Sequence, residues 1–126
     1  MPLVTIALRR GKPAAWRRAI ADGVYAALRA TFAVPEDDRF ILVQEHDAET
    51  FDVSPTYAGM ARSEDAVIIV ATVSATRTVD QKQALYADIV ARLGRDPGLR
   101  PDDVFVNLVE VAKENWSFGR GIAQYA

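Results

Sequence analysis

The second residue of the chain is a proline, and its nitrogen is the group with the clearest chemical potential. Initiator methionines are usually removed before a small residue, and removal of Met1 would leave Pro2 with a free secondary amine. A free α-amino group titrates near ~7.7–8.0, so its neighbours decide its charge at working pH. Held in a pocket, such an amine acts as a base, an acid or a nucleophile toward a carbonyl. Met-Pro is also a common translational start without any role. Whether Pro2 is a catalytic amine or only part of such a start depends on the elements around it.

Composition narrows the class of protein. The chain has 126 residues, 50% of them hydrophobic and 25% charged, which is typical of a single domain with a buried core. A formal net charge of -2 argues against a nucleic-acid-binding or membrane-surface protein. The absence of cysteine excludes disulfides, thiolate nucleophiles and zinc–thiolate sites. No stretch is typical of a signal peptide or a membrane span, and we expect a cytoplasmic protein.

The spacing of apolar residues predicts four strands and two helices. Pro13 suits the first position of the first helix. The stretch 46–65 is polar and broken by Pro55 and Gly59, so we expect a loop or an irregular hairpin there, and 113–126 is too rich in glycine for a helix. The predicted strands are Leu3–Leu8, Arg39–Glu45, Ala66–Val73 and Val104–Val111, and the predicted helices run from Trp16 to Phe32 and along Leu85, Ile89 and Leu93.

The two halves of the chain repeat each other. The run VPEDDRFILVQE aligns with LRPDDVFVNLVE at one constant offset, so that Asp38 meets Asp103. The same offset pairs Lys12 with Arg77 and aligns the predicted strands and helices. We therefore interpret the chain as a duplicated β-α-β unit. The single domain is residues 1–126, and its repeat halves are about 2–46 and 66–111.

A duplicated β-α-β unit predicts an α/β (α+β) fold, with one four-stranded sheet and both helices on one face. The other face then has no cover of its own, although the predicted strands are apolar on both sides. We expect other subunits to supply the second layer, so the sequence predicts an oligomer.

These features resemble the tautomerase superfamily, and within it the malonate semialdehyde decarboxylase branch. The resemblance covers nearly the whole chain, and the tail segment Asn115–Gly121, with the sequence NWSFGRG, is its most specific part. The other matching segments are Met1–Leu3, Val34–Pro35 with Asp38–Arg39, Val73–Ser74 with Arg77, Asp80–Lys82 and Pro101–Val104.

The resemblance implies a homotrimer in which Pro2 is the catalytic amine at the base of a small pocket. It implies that Asp38 is the carboxylate partner of this amine and that Arg77 is one of two arginines that grip the substrate carboxylate. Ala75 departs from the pattern, because it stands where the branch has the other arginine. The residues implied for the apolar wall are Trp116, Phe118 and Tyr125, with tyrosine where phenylalanine is expected.

Each candidate also has a purely structural interpretation. Asp38 and its repeat partner Asp103 both precede a strand and could be turn residues. Arg77 could be a solvated turn cation like its repeat partner Lys12. The acidic loops lack the ligand spacing of a metal site, and we expect no metal and no cofactor.

The sequence thus predicts a cofactor-free enzyme that acts on a small oxo acid, with no nucleic-acid or membrane partner. Keto–enol tautomerisation of a 2-oxo acid is the main hypothesis, because Ala75 removes one arginine of the decarboxylase pattern. One alternative is decarboxylation or hydration of a small 3-oxo or unsaturated acid, which requires Pro2 to act as an acid beside Asp38. Another alternative is a trimeric binding protein without catalysis.

Overall fold

Apolar, β-branched runs form a four-stranded sheet in the computed structural model, which describes residues 1–126. In chain order the elements are β1 Pro2–Arg9, α1 Ala14–Phe32, β2 Ile41–His46, β3 Val67–Ser74, α2 Val79–Arg95 and β4 Val104–Val111. Short 3₁₀ turns lie at Ala48–Thr50, Tyr57–Gly59, Pro101–Asp103 and Lys113–Asn115. The predicted fold class and the predicted number of strands and helices are confirmed.

Each β-α-β unit forms one parallel pair of strands, and the two pairs meet in the middle of the sheet. The strand order is β2-β1-β3-β4. β1 runs parallel to β2, β3 runs parallel to β4, and the central pair β1–β3 is antiparallel. In this central pair Pro2 lies opposite Val73, and Ala7 lies opposite Ile68. The start of each inner strand is therefore next to the end of the other.

One face of the sheet carries the core, and both helices lie on it. Alternate side chains of β1 and β3 are buried, and they pack against the apolar faces predicted for the two helices. The buried helix residues are Ile20, Val24, Ala27, Leu28 and Phe32 in α1 and Leu85, Ile89 and Leu93 in α2.

Some predicted boundaries differ from the structure. β4 spans Val104–Val111 as predicted, whereas β2 begins at Ile41 and not at Arg39. The N–H of Arg39 donates to the carbonyl of Asp37 at 3.0 Å, so the chain is still turning there. Pro13 is the N-cap of α1, with φ -68° and ψ 160°, and not its first helical residue. Its ring suits the extended cap as well as the first turn, because proline fixes φ near -65° and lacks an N–H.

The stretch between β2 and β3 is irregular, as predicted, and contains two 3₁₀ turns and no strand. It is fastened by the acidic residues that precede β4. Oδ2 of Asp102 accepts a hydrogen bond from the N–H of Ala61 at 2.9 Å, and Oδ1 of Asp103 accepts one from the N–H of Ser63 at 2.7 Å. These two carboxylates therefore hold the loop against the end of the sheet.

The face of the sheet opposite the helices is bare and largely apolar. Its exposed side chains include Leu3 at 39%, Leu42 at 56%, Phe105 at 42% and Val109 at 40%. No other part of the chain covers this face, which is the face expected to bind other subunits. Neither helix has the length and apolar character that a membrane crossing would require.

We expect Gly23 to be essential for the contact between the two helices. A Cβ at Gly23 would lie 2.7 Å from Cδ2 of Leu93, a side chain with 0% exposure. At Gly94, also in a helix, the nearest atom would be the carbonyl oxygen of Leu99 at 3.7 Å, an ordinary contact. Both alanine substitutions gain helix propensity, but only Gly23→Ala overpacks the core. Gly23→Ala should be less stable than Gly94→Ala by ~1–3 kcal/mol in urea unfolding. Equal stability of the two variants would show that Leu93 moves aside without cost.

Candidate active site

The central strand pairing brings several segments to one end of the sheet. Pro2 is buried and lies opposite Val73. The carbonyl of Phe40 accepts a hydrogen bond from the N–H of Val4 at 2.9 Å, which places the loop before β2 beside the N-terminus. The C-terminal tail reaches the same end, where Trp116 contacts the last residue of β3.

Asp38 lies next to the N-terminus with one oxygen unpaired. Its side chain is 12% exposed, and Oδ2 lies 3.6 Å from the Met1 ammonium nitrogen. Oδ1 is buried and accepts no hydrogen bond. A buried acceptor without a donor costs ~1–3 kcal/mol, and more when it is charged, so this oxygen is suited to a further donor. With Met1 in place the Pro2 nitrogen is an amide, and the cation beside Asp38 is the Met1 ammonium.

Asp103, the repeat partner of Asp38, has a different environment. It is 1% exposed, and its carboxylate accepts hydrogen bonds from the N–H and the hydroxyl of Ser63 at 2.7 and 2.6 Å. Arg100 lies 3.7 Å from the same carboxylate. The structural interpretation therefore holds for Asp103, whose bonds fasten a loop. Asp38 holds no loop, and the two carboxylates have diverged.

Aromatic rings form one wall of a shallow depression beside Asp38. Phe118 and Tyr125 line it and pack edge to face, with ring centroids 4.8 Å apart. Trp116 lies behind them, stacked on Phe118 at 5.7 Å, and its Nε1 donates a hydrogen bond to Oγ of Ser74 at 3.1 Å. The depression has a volume of about 260 Å³ and is lined by Met1, Pro35, Asp37, Asp38, Phe40, Phe118 and Tyr125.

A single side chain folds the tail so that both rings reach the depression. The N–H of Phe118 donates to Oε1 of Gln124 at 2.9 Å, and Nε2 of Gln124 donates to the carbonyl of Gly119 at 3.1 Å. Between these residues the backbone has positive φ angles, of 61° at Arg120 and 70° at Gly121. The glycines of the tail thus permit a tight turn, which positions the aromatic rings of the wall.

Arg77 lies at the same end of the sheet but does not line the depression. Its Nη2 donates to the carbonyl of Phe32 at 2.9 Å, its Nη1 donates to the Thr76 hydroxyl, and its guanidinium lies 4.8 Å from the ring centroid of Phe32. The guanidinium is half-buried and forms no ion pair with a carboxylate. The structure therefore brings Pro2, Asp38, Phe118 and Tyr125 together, with Trp116 behind them and Arg77 to one side.

Phe40 was missed by the sequence analysis. It is 48% exposed and lines the depression. The available signal was its position in the sequence, between Asp38 and the start of β2.

This arrangement of an N-terminal nitrogen, a partly buried carboxylate and an apolar wall suits proton transfer. A carboxylate beside an amine favours its charged form, and a positioned amine can give a proton to a bound substrate or take one from it. No three His, Asp or Glu side chains form a group that could hold a metal ion.

Similarity to known proteins identifies the family of the chain. Two family models, both described as tautomerase enzyme, match residues 38–119 and 2–61. A curated relative from Bacillus subtilis, named Probable tautomerase YusQ, is 35% identical over 124 residues, which cover 98% of each chain.

Two solved structures of malonate semialdehyde decarboxylase superimpose with a TM-score of 0.91. One, described with decarboxylase and hydratase activities, is 34% identical and covers 98% of this chain and 95% of its own. The other, the FG41 enzyme inhibited by 3-bromopropiolate, is 38% identical and covers 98% and 93%. A fused 4-OT symmetric trimer, 22% identical with a TM-score of 0.79 over 98% and 97% of the two chains, shares the fold. The chain therefore belongs to the tautomerase family, as the resemblance of its sequence indicated.

Proposed function

We propose that the protein is a cofactor-free enzyme that uses the amine of Pro2, freed by removal of Met1, for keto–enol tautomerisation of a small 2-oxo acid. The observation that carries this proposal is the position of the nitrogen of Met1, the residue before Pro2, which lies 3.6 Å from Oδ2 of a partly buried Asp38 whose other oxygen has no partner. Membership of the tautomerase family and the name of the Bacillus subtilis relative support it.

Removal of Met1 would transfer the cationic group to the buried ring of Pro2 at the start of β1. The unpartnered Oδ1 of Asp38 is a suitable acceptor for a prolyl ammonium, and the carboxylate favours that protonated form. In ketonisation the ammonium gives its proton to the enol carbon. The enol O–H gives its proton to water as the carbonyl forms, and the amine takes one proton back from water, so no net proton is gained or lost.

Arg77 is the proposed grip for the substrate carboxylate. Its guanidinium has five N–H donors, and one of its nitrogens, Nη2, is bound to the carbonyl of Phe32. No carboxylate of this chain neutralises it, and the remaining donors can bind a carboxylate group. Positioned acid–base catalysis supplies only ~10²–10⁴-fold, so this grip and the aromatic wall would have to add orientation.

The purified protein should ketonise phenylenolpyruvate, and Pro2→Ala should lower kcat/KM by ~10²-fold or more, because it replaces the positioned secondary amine. A spectrophotometric assay of enol loss measures both rates. Pro13→Ala is a matched control, because Pro13 caps α1 at the opposite end of β1, and this variant should keep its activity. Retention of Met1 in the mass spectrum of a fully active protein would contradict the amine mechanism.

A second candidate function is decarboxylation of a small 3-oxo acid, which the pairing of Asp38 with the N-terminal nitrogen equally allows. An ammonium held by a carboxylate can polarise a 3-oxo group so that carbon dioxide leaves and an enol remains. The likeness to malonate semialdehyde decarboxylase supports this candidate. Ala75 weakens it, because the carboxylate clamp retains a single arginine.

Asp38→Asn and Asp103→Asn should separate catalysis from stability. If the protein releases carbon dioxide from malonate semialdehyde, Asp38→Asn should lower that rate by ~10²-fold or more. It should lose less stability than Asp103→Asn, because Oδ1 of Asp38 has no partner to lose and Oδ2 is paired only with the N-terminal ammonium. Asp103→Asn should keep the rate per folded molecule and lose ~1–3 kcal/mol of stability, because it disrupts the bonds to Ser63. Carbon dioxide release and urea unfolding measure the two effects. Equal loss of activity in both variants would contradict a special role for Asp38.

We propose that three copies of the chain assemble through the bare face of the sheet. The apolar side chains there support an interface, and the fused 4-OT structure with the same fold is a trimer. Native mass spectrometry should show three chains for the wild type and single chains for Val109→Glu, which buries a charge in that interface. Val79→Glu is the control, because Val79 is 67% exposed on α2, away from the bare face. Single chains in the wild type would contradict the proposal.

A further inference from the structure

The internal repeat implies a second position equivalent to the candidate active site, at the opposite end of the sheet. We call this position, at the start of β3, the second place. The offset that pairs Asp38 with Asp103 also pairs Pro2 with Val67. Because β1 and β3 are antiparallel, the start of β3 lies beside the end of β1, just as Pro2 lies beside the end of β3. The fold thus contains two equivalent places, one for each half of the chain.

The repeat extends beyond the strands into the segments that form the wall. At the same offset Phe51 aligns with Trp116, and Val53 aligns with Phe118. Their contacts correspond as well. Trp116 donates a hydrogen bond to Ser74, and Arg9, the repeat partner of Ser74, lies over the ring of Phe51 at 5.5 Å. The second place therefore has an apolar wall of its own, with Phe51 only 5% exposed.

The second place has lost the groups for proton transfer. Val67, which corresponds to Pro2, lies within the chain, and its nitrogen is a peptide amide. Asp103 corresponds to Asp38, and both of its carboxylate oxygens accept hydrogen bonds, from the N–H and the hydroxyl of Ser63. Amine catalysis of the kind proposed for Pro2 is therefore absent from this place.

Cations are more numerous at the second place than at the first. Arg10 and Lys12 occupy the positions of Ala75 and Arg77 and are neutralised by Asp47 at 2.8 Å and Asp65 at 3.0 Å. Arg9, by contrast, forms no ion pair, although it lines the concavities along this end of the sheet.

Arg9 shares one of these cavities with Arg62, and each side chain has an Nε–H group without an acceptor. The Nε atom of each is buried and donates no hydrogen bond. The Nη1 of Arg62 donates to the carbonyls of Ser54 and Tyr57 at 3.1 Å each, which fixes that guanidinium in the wall. The cavity has a volume of about 270 Å³ and is lined by Arg9, Phe51, Val53, Pro55, Arg62, Ser63 and Glu64.

We propose that this cavity is a second ligand site, which binds a small oxyanion through Arg9 and Arg62 and does not convert it. Two arginines with buried, unpartnered Nε–H groups require acceptors, and a carboxylate or a phosphate offers several negatively charged oxygens. The apolar wall of Phe51 and Val53 suits a ligand with a short carbon chain beside its anionic group.

Glu64 allows the direction of a change in anion affinity to be predicted and tested. It lines the same cavity, is exposed and forms no ion pair, so its negative charge opposes a bound anion. Removing that charge should tighten binding, whereas removing either arginine should weaken it. A role that is only structural for these three residues would not produce opposite effects on anion affinity.

The experiment titrates the full-length protein with inorganic phosphate and, separately, with acetate, and follows the arginine Nε–Hε resonances by NMR. The resonances of Arg9 and Arg62 should shift with at least one anion. Arg9→Gln and Arg62→Gln should each weaken binding about 10-fold or more, as expected for a lost charge-assisted hydrogen bond. Glu64→Gln should strengthen binding. Arg18→Gln is the control, because Arg18 is exposed on α1 without an ion pair, and it should change nothing.

The two anions and the variants also separate the competing explanations. A response to phosphate alone, or to acetate alone, supports the site and assigns its ligand class. No response to either anion, or equal weakening by Arg18→Gln, overturns the proposal.

The cavity borders the bare face, where Arg62 lies 6.0 Å from the ring centroid of Phe105. If Arg9→Gln dissociates the assembly and the wild type binds no anion, the acceptor is a carboxylate of a second copy, and the proposal fails.

This site does not depend on the function proposed for Pro2. Anion binding to Arg9 and Arg62 should persist in Pro2→Ala, and Arg9→Gln should keep the wild-type rate of ketonisation. Loss of the NMR response in Pro2→Ala would show that the anion binds at the first place, and would overturn the assignment.

Discussion

The antiparallel pairing of β1 with β3 determines which segments meet at the candidate active site. With Pro2 opposite Val73, the first residues of the chain lie beside the turn that follows β3. The register is fixed by the core, because a slip of one residue would turn Val4 and Ile6 out of the buried face. The position of Pro2 is therefore set by the same contacts that pack the sheet, although Pro2 is the first residue of its strand.

Duplication supplied two equivalent carboxylates, and the surrounding loops gave them different environments. Around Asp103 the loop between β2 and β3 closes in, and Ser63 satisfies the carboxylate. Around Asp38 the chain leaves one oxygen without a donor, at a cost in stability that the fold has to tolerate. Local departures from full hydrogen bonding are expected where a protein binds or reacts. Asp38 and Asp103 occupy equivalent positions of the repeat, so the difference between them comes from the surrounding loops.

Much of the fold could be predicted because it depends on short-range patterns. The apolar periodicity located both helices, and the bounds of β4 were correct to the residue. Side-chain placement could not be predicted in the same way. Arg77 is drawn to the carbonyl of Phe32, a partner distant in sequence, and its flexible side chain has no local signal for that choice. The partnership of Asp103 with Ser63 is equally long-range, so the sequence left both aspartates as possible turn residues.

The tail that carries Phe118 and Tyr125 is joined to the sheet by side chains rather than by a strand. One amide, that of Gln124, closes its turn, and one hydroxyl, that of Ser74, holds Trp116. None of the tail residues belongs to the hydrophobic core. Changes in the last dozen or so residues can therefore alter which molecules fit the depression while the scaffold keeps its stability. The aromatic wall of the depression and the hydrophobic core are thus formed by separate parts of the chain, and the wall can vary without disturbing the core.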